Sequence, residues 1–322
     1  MAKLLRTIRV AARAATLLLL TLTGIARAQP SPPTVVRPAA AAQRDATPGN
    51  RPLPDIVAMM HDVEANQRKA ETVEKDYIYH SVETEVEKDG SGQTKKTTVN
   101  EFDHFWIDGV PVRKLVRKNG KDLSAEELAR EDERIDKEAE KAREHREQED
   151  AKGRETDARG EDEITLSRLL ELGAFSNPRR VQLGGRDTIA VDYTGDPKAK
   201  TRNQAEDVIR DVAGTAWVDE QDHVLVRVEG HFVNTFKIGG GLIANVQKNT
   251  RFEMQQTKVN DEVWLPANFA GEGAARALLF FSFNGSIRAV QSDYRKFRTT
   301  SKVLPGATTV DPPSTPGDVD RP

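Results

Sequence analysis

The chain has 322 residues, 37% of them hydrophobic and 31% charged, with a formal net charge of −3 and no cysteine. That balance suits a polar globular protein and argues against a basic nucleic-acid binder. The lack of cysteine excludes disulfides, thiolate metal sites, cysteine nucleophiles and a lipoprotein anchor.

Lys3, Arg6, Arg9 and Arg13 precede an apolar run from Ala14 to Ala26, and Ala26-Arg27-Ala28 fits a small-x-small cleavage site. This three-part pattern predicts a secretory signal over 1–28, cleaved near Ala28. The run is about 13 residues, short of the roughly 20 needed to span a bilayer. The expectation is an exported, periplasmic-type product, soluble after cleavage; retention of the segment as an anchor is the other reading. Residues 29–52 are rich in Pro and Ala and 303–322 in Pro. Proline resists helix interiors and cannot donate to a ladder, so both stretches read as disordered tails around a domain at 53–302.

Within that domain, Pro54 to Val73 reads as a helix, with Ile56, Met59, Met60 and Val63 at helical spacing and the methionines as core filler. Asp76 to Glu87 changes to a two-residue period. Ile78, Val82 and Val86 are expected to point inward and Glu83, Glu85 and Glu87 outward. Thr94 to Ile107 and Val110 to Val116 follow as strands, joined at Asp108-Gly109 by a hairpin turn.

From Ser124 to Glu163, 40 residues hold 17 acids and nine bases. Ser124 and Glu127 form a capping box, and Glu126–Arg130 and Glu133–Lys137 are favourable i,i+4 pairs. Leu128, Ile135, Ala139 and Ala142 trace a thin stripe, expected to be the docking face of this helical insertion. A short helix from Glu163 to Leu172 ends at Gly173. Strands resume at Arg180, interrupted by a polar helix over 203–212. His223 to Ile238, Leu242 to Val259 and Ala277 to Val290 are each expected as one long strand. With about ten strands, short turns and few crossover helices, the predicted fold is α+β: a strongly curved antiparallel sheet, or open half-barrel, with an N-terminal helix and inserted helices over its mouth.

No polar cluster declares a chemistry. The six histidines lack the spacing that places two metal ligands on one face, although His80 and His104 fall on neighbouring strands. Asp219, Glu220 and Asp222 share a turn, where turn chemistry competes with a weak calcium site. There is no Gly-x-Ser-x-Gly elbow and no phosphate loop. No metal, cofactor or catalytic residue is assigned, and the expectation is a non-enzymatic protein. A hydrolase stays open only because geometry, not order, defines a triad. The apolar faces say more: Ala277 to Phe283 reads as apolar on both sides. Such a face is either an unfilled cavity or a core plugged by the helices.

Gly214-Thr-Ala-Trp-Val-Asp219, the turn Glu220 to His223, and Val224-Leu-Val-Arg-Val-Glu229 resemble the periplasmic LolA-like superfamily, which includes outer-membrane lipoprotein-sorting carriers and sensor relatives of the RseB and MucB kind. Gly109 to Val116 and Val259 to Pro266 are similar to the same group. The resemblance spans most of 54–297. It implies an unclosed half-barrel with helices over its mouth and a hydrophobic hollow that shields lipid-like groups. The charged insertion departs from the simpler carriers, and no residue matches their lid-locking arginine.

Together these readings predict a carrier or chaperone for a lipid, an acylated protein or another apolar ligand, with peripheral membrane contact and no nucleic-acid partner. The expected lining is Val226, Val228, Phe232, Phe236, Phe252, Met254, Phe281 and Phe283. The alternative is an envelope sensor or interaction module that docks a protein partner through Leu128, Ile135, Ala139 and Ala142 on the charged helix 124–150.

Overall fold

A computed structural model describes residues 51–153, 166–238, 244–277 and 281–297. The expected signal, most of the first linker and the last tail lie outside them, as does the insertion beyond residue 153. No described helix is long and apolar enough to cross a membrane.

Four helices and thirteen strands are described: α1 (Ile56–Glu74), β1 (Tyr77–Lys88), β2 (Thr94–Ile107), β3 (Val110–Lys118), β4 (Lys121–Asp122), α2 (Ala125–Asp150), α3 (Leu166–Leu172), β5 (Gly173–Leu183), β6 (Arg186–Gly195), α4 (Gln204–Arg210), β7 (Val212–Asp219), β8 (Leu225–Phe232), β9 (Phe236–Ile238), β10 (Ala244–Val246), β11 (Arg251–Val259), β12 (Val263–Ala277) and β13 (Phe281–Lys296). The strands form one antiparallel sheet in the order β4-β3-β2-β1-β13-β12-β11-β8-β7-β6-β5, with β9 and β10 branching from β12. The two ends do not pair, so the sheet is an open half-barrel rather than a closed barrel. Bulges interrupt the β1–β13, β2–β3, β5–β6, β7–β8 and β11–β12 ladders. Each bulge bends its strand and increases the twist, which is how a sheet this wide curls.

Cross-strand register defines the faces. Val191, Ala216, Val228, Met254, Phe269, Ala289, Glu83 and Asn100 are successive partners, so they share one face from β6 to β2. This inner face carries α1, α3 and α4. Met59, Met60 and Val63 of α1 pack with Leu166 of α3 on Ile189 and Val218. The methionines fill core, as their spacing predicts. Asp55 caps α1 by accepting a 2.7 Å hydrogen bond from the Ala58 amide.

Helix α2 lies on the other face. Ile135 and Ala139 pack on Val110 and Val112, with Phe105, Ile107 and Ala142 beside them. Phe105 and Val112 are partners on the face opposite Phe102 and Ser81. The inserted charged helix therefore does not sit over the same mouth as α1, α3 and α4. The Ser124–Glu127 capping box starts it, and the Glu126–Arg130 and Glu133–Lys137 pairs form.

Three strand expectations change. His223 to Ile238 breaks after Phe232, where the Val233 amide turns to the Asp211 carbonyl at 2.8 Å and Asn234 reaches the Asp211 carboxylate. Leu242 to Val259 is cut at Asn249, whose φ of 67° makes a turn between β10 and β11. Ala277 to Phe283 is not one strand. Ala277 ends β12, Phe281 opens β13, and the two are cross-strand partners. Residues 278–280 lie outside the described structure.

Strand β1 inverts its expected polarity. Glu83 lies on the inner face at 7% exposure, whereas Val82 is 38% exposed on the outer one. Arg113, two strands away on the same face, pairs with the Glu83 carboxylate. An ion pair thus stands where the pattern called for an aliphatic residue.

Phe269 is buried at the centre of the sheet, and Val290 is exposed on the outer face. Phe269→Ala should cost about 3–5 kcal/mol in denaturant unfolding, the usual loss for a buried phenylalanine. Val290→Ala should stay within about 0.5 kcal/mol of the parent, as surface changes generally do.

Candidate functional site

The inner face divides into three zones along the strand order. Under α1 and α3 it is closed core, built on Ile189 and Val218. Next to it, Val208 of α4 packs with Val212, Phe232, Phe236 and Val246. Phe232 and Phe236 are therefore core residues in contact with a helix. Val226 is buried too.

Beyond α4 the character changes. Phe269 and Ala289 are buried, and Phe252, Met254 and Ile287 pack around them while remaining half-buried. Among the described residues, no helix residue is part of this cluster. Phe252 also touches the α4 cluster, so the two are continuous. Its ring lies over Gly230, and the Phe269 ring lies over Gly271. Any β-carbon at Gly230 would meet the Phe252 ring, so glycine there lets aromatic rings lie flat on the sheet. Val228 and Phe283 are half-buried on the same face, by register with Met254 and Ala275. Phe281 stands at the start of β13 opposite Ala277, and its side chain lies outside what the structure describes.

The third zone, over β13, β1, β2 and β3, is polar, and the sequence patterns did not single it out. Ser81, at 0% exposure, bonds His104 Nε2 through its Oγ at 2.8 Å. His104 stacks on Tyr79 with ring centres 4.6 Å apart. Desolvation first, and then the Arg113 and His80 charges, push the His104 pKa down to about 3. Arg113 lies over the Phe102 ring at 4.5 Å while pairing with Glu83. Asn100 Oδ1 and Gln291 Oε1 are buried without a hydrogen-bond partner among the described residues. By register, Asn100 lies beside Glu83, and Gln291 beside Ser81. A serine bonded to a neutral histidine resembles a nucleophile and base, but a fully covered hydroxyl cannot meet a substrate.

Open hollows of about 640 and 980 Å³ are lined mainly by outer-face residues. The smaller is lined by His80, Glu101, Arg117 and Asp122, and the larger by Asp192, Glu229, Glu253, Arg251 and His231 among others. Both mix charges of the two signs, so neither is the expected apolar hollow. His80 bonds Asp103 at 2.9 Å and approaches Glu101 at 3.3 Å on this face. His104 points to the other, so the two histidines do not converge. Among the described residues no group of three or more His, Cys, Asp or Glu side chains could hold a metal ion. The acidic turn is occupied by cations. Arg186 pairs with Asp219 and Asp222, Arg180 with Glu220, and Lys258 with Asp222.

The stripe on α2 meets a partner within the chain. Ile135, at 2% exposure, and Ala139 are covered by β3, with Ala142 beside them, while Leu128 stays half-exposed. Three of the four residues expected to dock a separate protein are therefore in contact with the protein's own sheet.

No family model matches the chain, and no curated protein does. Among solved structures it is similar to a putative outer membrane lipoprotein-sorting protein domain from Vibrio parahaemolyticus, at 11% identity and a TM-score of 0.33, over 76% of this chain and 92% of that one. A DUF1329 family protein from Desulfovibrio piger gives 12% and 0.33, over 76% and 94%. A LolA superfamily protein from Nitrosomonas europaea gives 9% and 0.25, over 73% and 93%.

His104 links the polar zone to pH. Its native pKa of about 3 lies below the ordinary 6.5, so between those values the unfolded chain binds a proton that the folded one refuses. Stability contributed by this residue is full above 6.5 and falls as pH drops toward 3, by up to about 1.4 kcal/mol per pH unit for one proton. Denaturant midpoints measured from pH 7 to 4 should fall less steeply in His104→Asn than in the parent.

Proposed function

We propose that the protein is an exported, non-enzymatic carrier or chaperone that shelters an acyl chain or similar apolar group on the inner face of its open sheet. The observation that carries this reading is the half-buried row of Phe252, Met254 and Ile287 around Phe269, continuous with the α4 core through Phe252. Phe283 and Val228 extend the row. The signal-like start of the chain supports export.

The mechanism is burial. Each methylene laid on the row gains about 0.8 kcal/mol, so a long chain binds without a directional contact. Of the predicted lining, Val226, Phe232 and Phe236 act as the packed wall behind the row. Val228, Phe252, Met254 and Phe283 are the part that meets the ligand. An acyl chain and the lipid moiety of an acylated protein present the same surface to such a row.

Met254→Lys and Ile287→Glu test the assignment, because both sites tolerate partial exposure and a charge there opposes an acyl chain. Uptake of a fluorescent fatty acid should fall at least about tenfold, since burying an unpaired charge is far costlier than losing a methylene contact. Unchanged uptake by folded variants would remove the row from the site. In the same assay, Glu133→Ala on the exposed side of α2 should leave uptake intact, because α2 packs on the opposite face.

A further inference from the structure

One end of the sheet differs in charge from the rest of the molecule. Successive cross-strand partners from Thr194 of β6, through Arg251 and Glu272, to Thr97 of β2 mark one rank across it. Beyond that rank lie the loop after β6, β9, β10 and the turn that follows, and the ends of β12, β13, β1 and β2. In this region Lys96, Lys198, Lys200, Lys237 and Lys248 are all exposed. Among the described residues, none of their ammonium groups has an ion-pair partner. Most acids here are already held. Glu87 pairs with Lys95, Glu272 with Lys88, Glu171 and Glu206 with Arg168, and Asp207 with Arg210. Asp89 and Asp196 close their own turns, and Asp211 accepts from Asn234. A chain with a formal charge of −3 thus presents uncommitted cations at this end.

The centre of this end projects. Glu87 is the partner of Gly285; β1 stops one residue on, at Lys88, whereas β13 starts four residues away, at Phe281. The β12–β13 pair therefore runs about 10 Å past β1, at about 3.3 Å per residue. On this projection Gly273 to Ala275 and Phe283 to Gly285 carry no charge. Lys237 and Lys248 flank it on the β9–β10 side, and Lys96 on the β1–β2 side. Phe283 belongs to the apolar row, so the row reaches the same end. An uncharged projection among unpaired lysines suits a layer of anionic headgroups. A nucleic acid would gain from the lysines alone.

We propose that this end of the sheet docks the protein on an anionic bilayer surface. The lysines meet the lipid phosphates, and the projection enters the headgroup layer. Salt weakens the contact, because the charges stay in water. The docking does not require the carrier reading. Where both hold, an acyl chain passes between bilayer and row without crossing water.

The test is sedimentation of the full chain with vesicles of phosphatidylcholine, alone or mixed equally with phosphatidylglycerol. The mixed vesicles should bind it far more tightly, and high salt should abolish the difference. Lys96→Gln, Lys237→Gln and Lys248→Gln combined should weaken binding to the mixed vesicles about a hundredfold, roughly fivefold for each lysine near an anionic surface. All three side chains are exposed, so the variant should fold as the parent does. Lys69→Gln with Lys141→Gln, exposed on α1 and α2, should change binding by less than about twofold, being away from the docking end. Equal binding to both vesicle types, an unchanged triple variant, an equal loss in the control pair, or binding of heparin without vesicles overturns the proposal. Fatty-acid uptake by the triple variant should match the parent, so failure of the docking and failure of the carrier reading are read separately.

Discussion

An open sheet has to dispose of two edges, and in this protein the edges explain features that composition alone leaves odd. A strand edge exposes unpaired N–H and C=O groups that invite another chain. At the β3 end, α2 supplies the missing partners from its charged side chains. Glu131 accepts from the Leu115 amide at 3.1 Å, and Arg134 donates to the Arg113 carbonyl at 2.7 Å. Arg146 does the same for the Asp108 and Gly109 carbonyls at the β2–β3 turn. Some of the helix's charge is thus edge chemistry rather than solvation. At the β5 end, the bulge between Ser176 and Arg179 contains Asn177, with φ of 50°, and Pro178, which has no N–H to offer. Arg180 there binds the carbonyls of Arg51 and Pro52, which ties the start of the described chain to the sheet.

Much of the fold was legible because its signals are local. The α1 stripe, the α2 capping box, the Asp108-Gly109 turn and the two-residue period of β8 each follow from a few neighbouring residues. What failed was longer range. Val233 and Asn234 look like strand residues; they leave the ladder because Asp211, more than twenty residues earlier, takes their hydrogen bonds. Ala277 to Phe283 looks like one strand apolar on both faces because Leu278, Leu279 and Phe280 include no Gly, Pro, Asn or Asp to mark the end of β12.

The site was legible by half. Apolar positions on β8 and β11 appear as an alternating pattern, but pattern cannot tell a residue packed under a helix from one left open. Phe232 and Phe252 look alike in sequence; α4 covers the first, and the second is only half-buried. The polar zone was invisible for a different reason. Glu83 alternates with Val82, and the ordinary reading sends the carboxylate to water. Only the presence of Arg113, thirty residues away on β3, reverses that choice, and no local period encodes it.

That reversal also bears on what the inner face is for. Replacing a buried ion pair with aliphatic residues is often neutral or stabilising, so Glu83 and Arg113 are a weak way to hold a sheet together. The same zone keeps a desolvated histidine and two amide oxygens that have no partner among the described residues. A face needed only as core would be simpler with valine at these places, like the Ile189 end of the same sheet. The inner face is instead graded, from closed core under α1, through a half-covered apolar row, to a polar patch beyond.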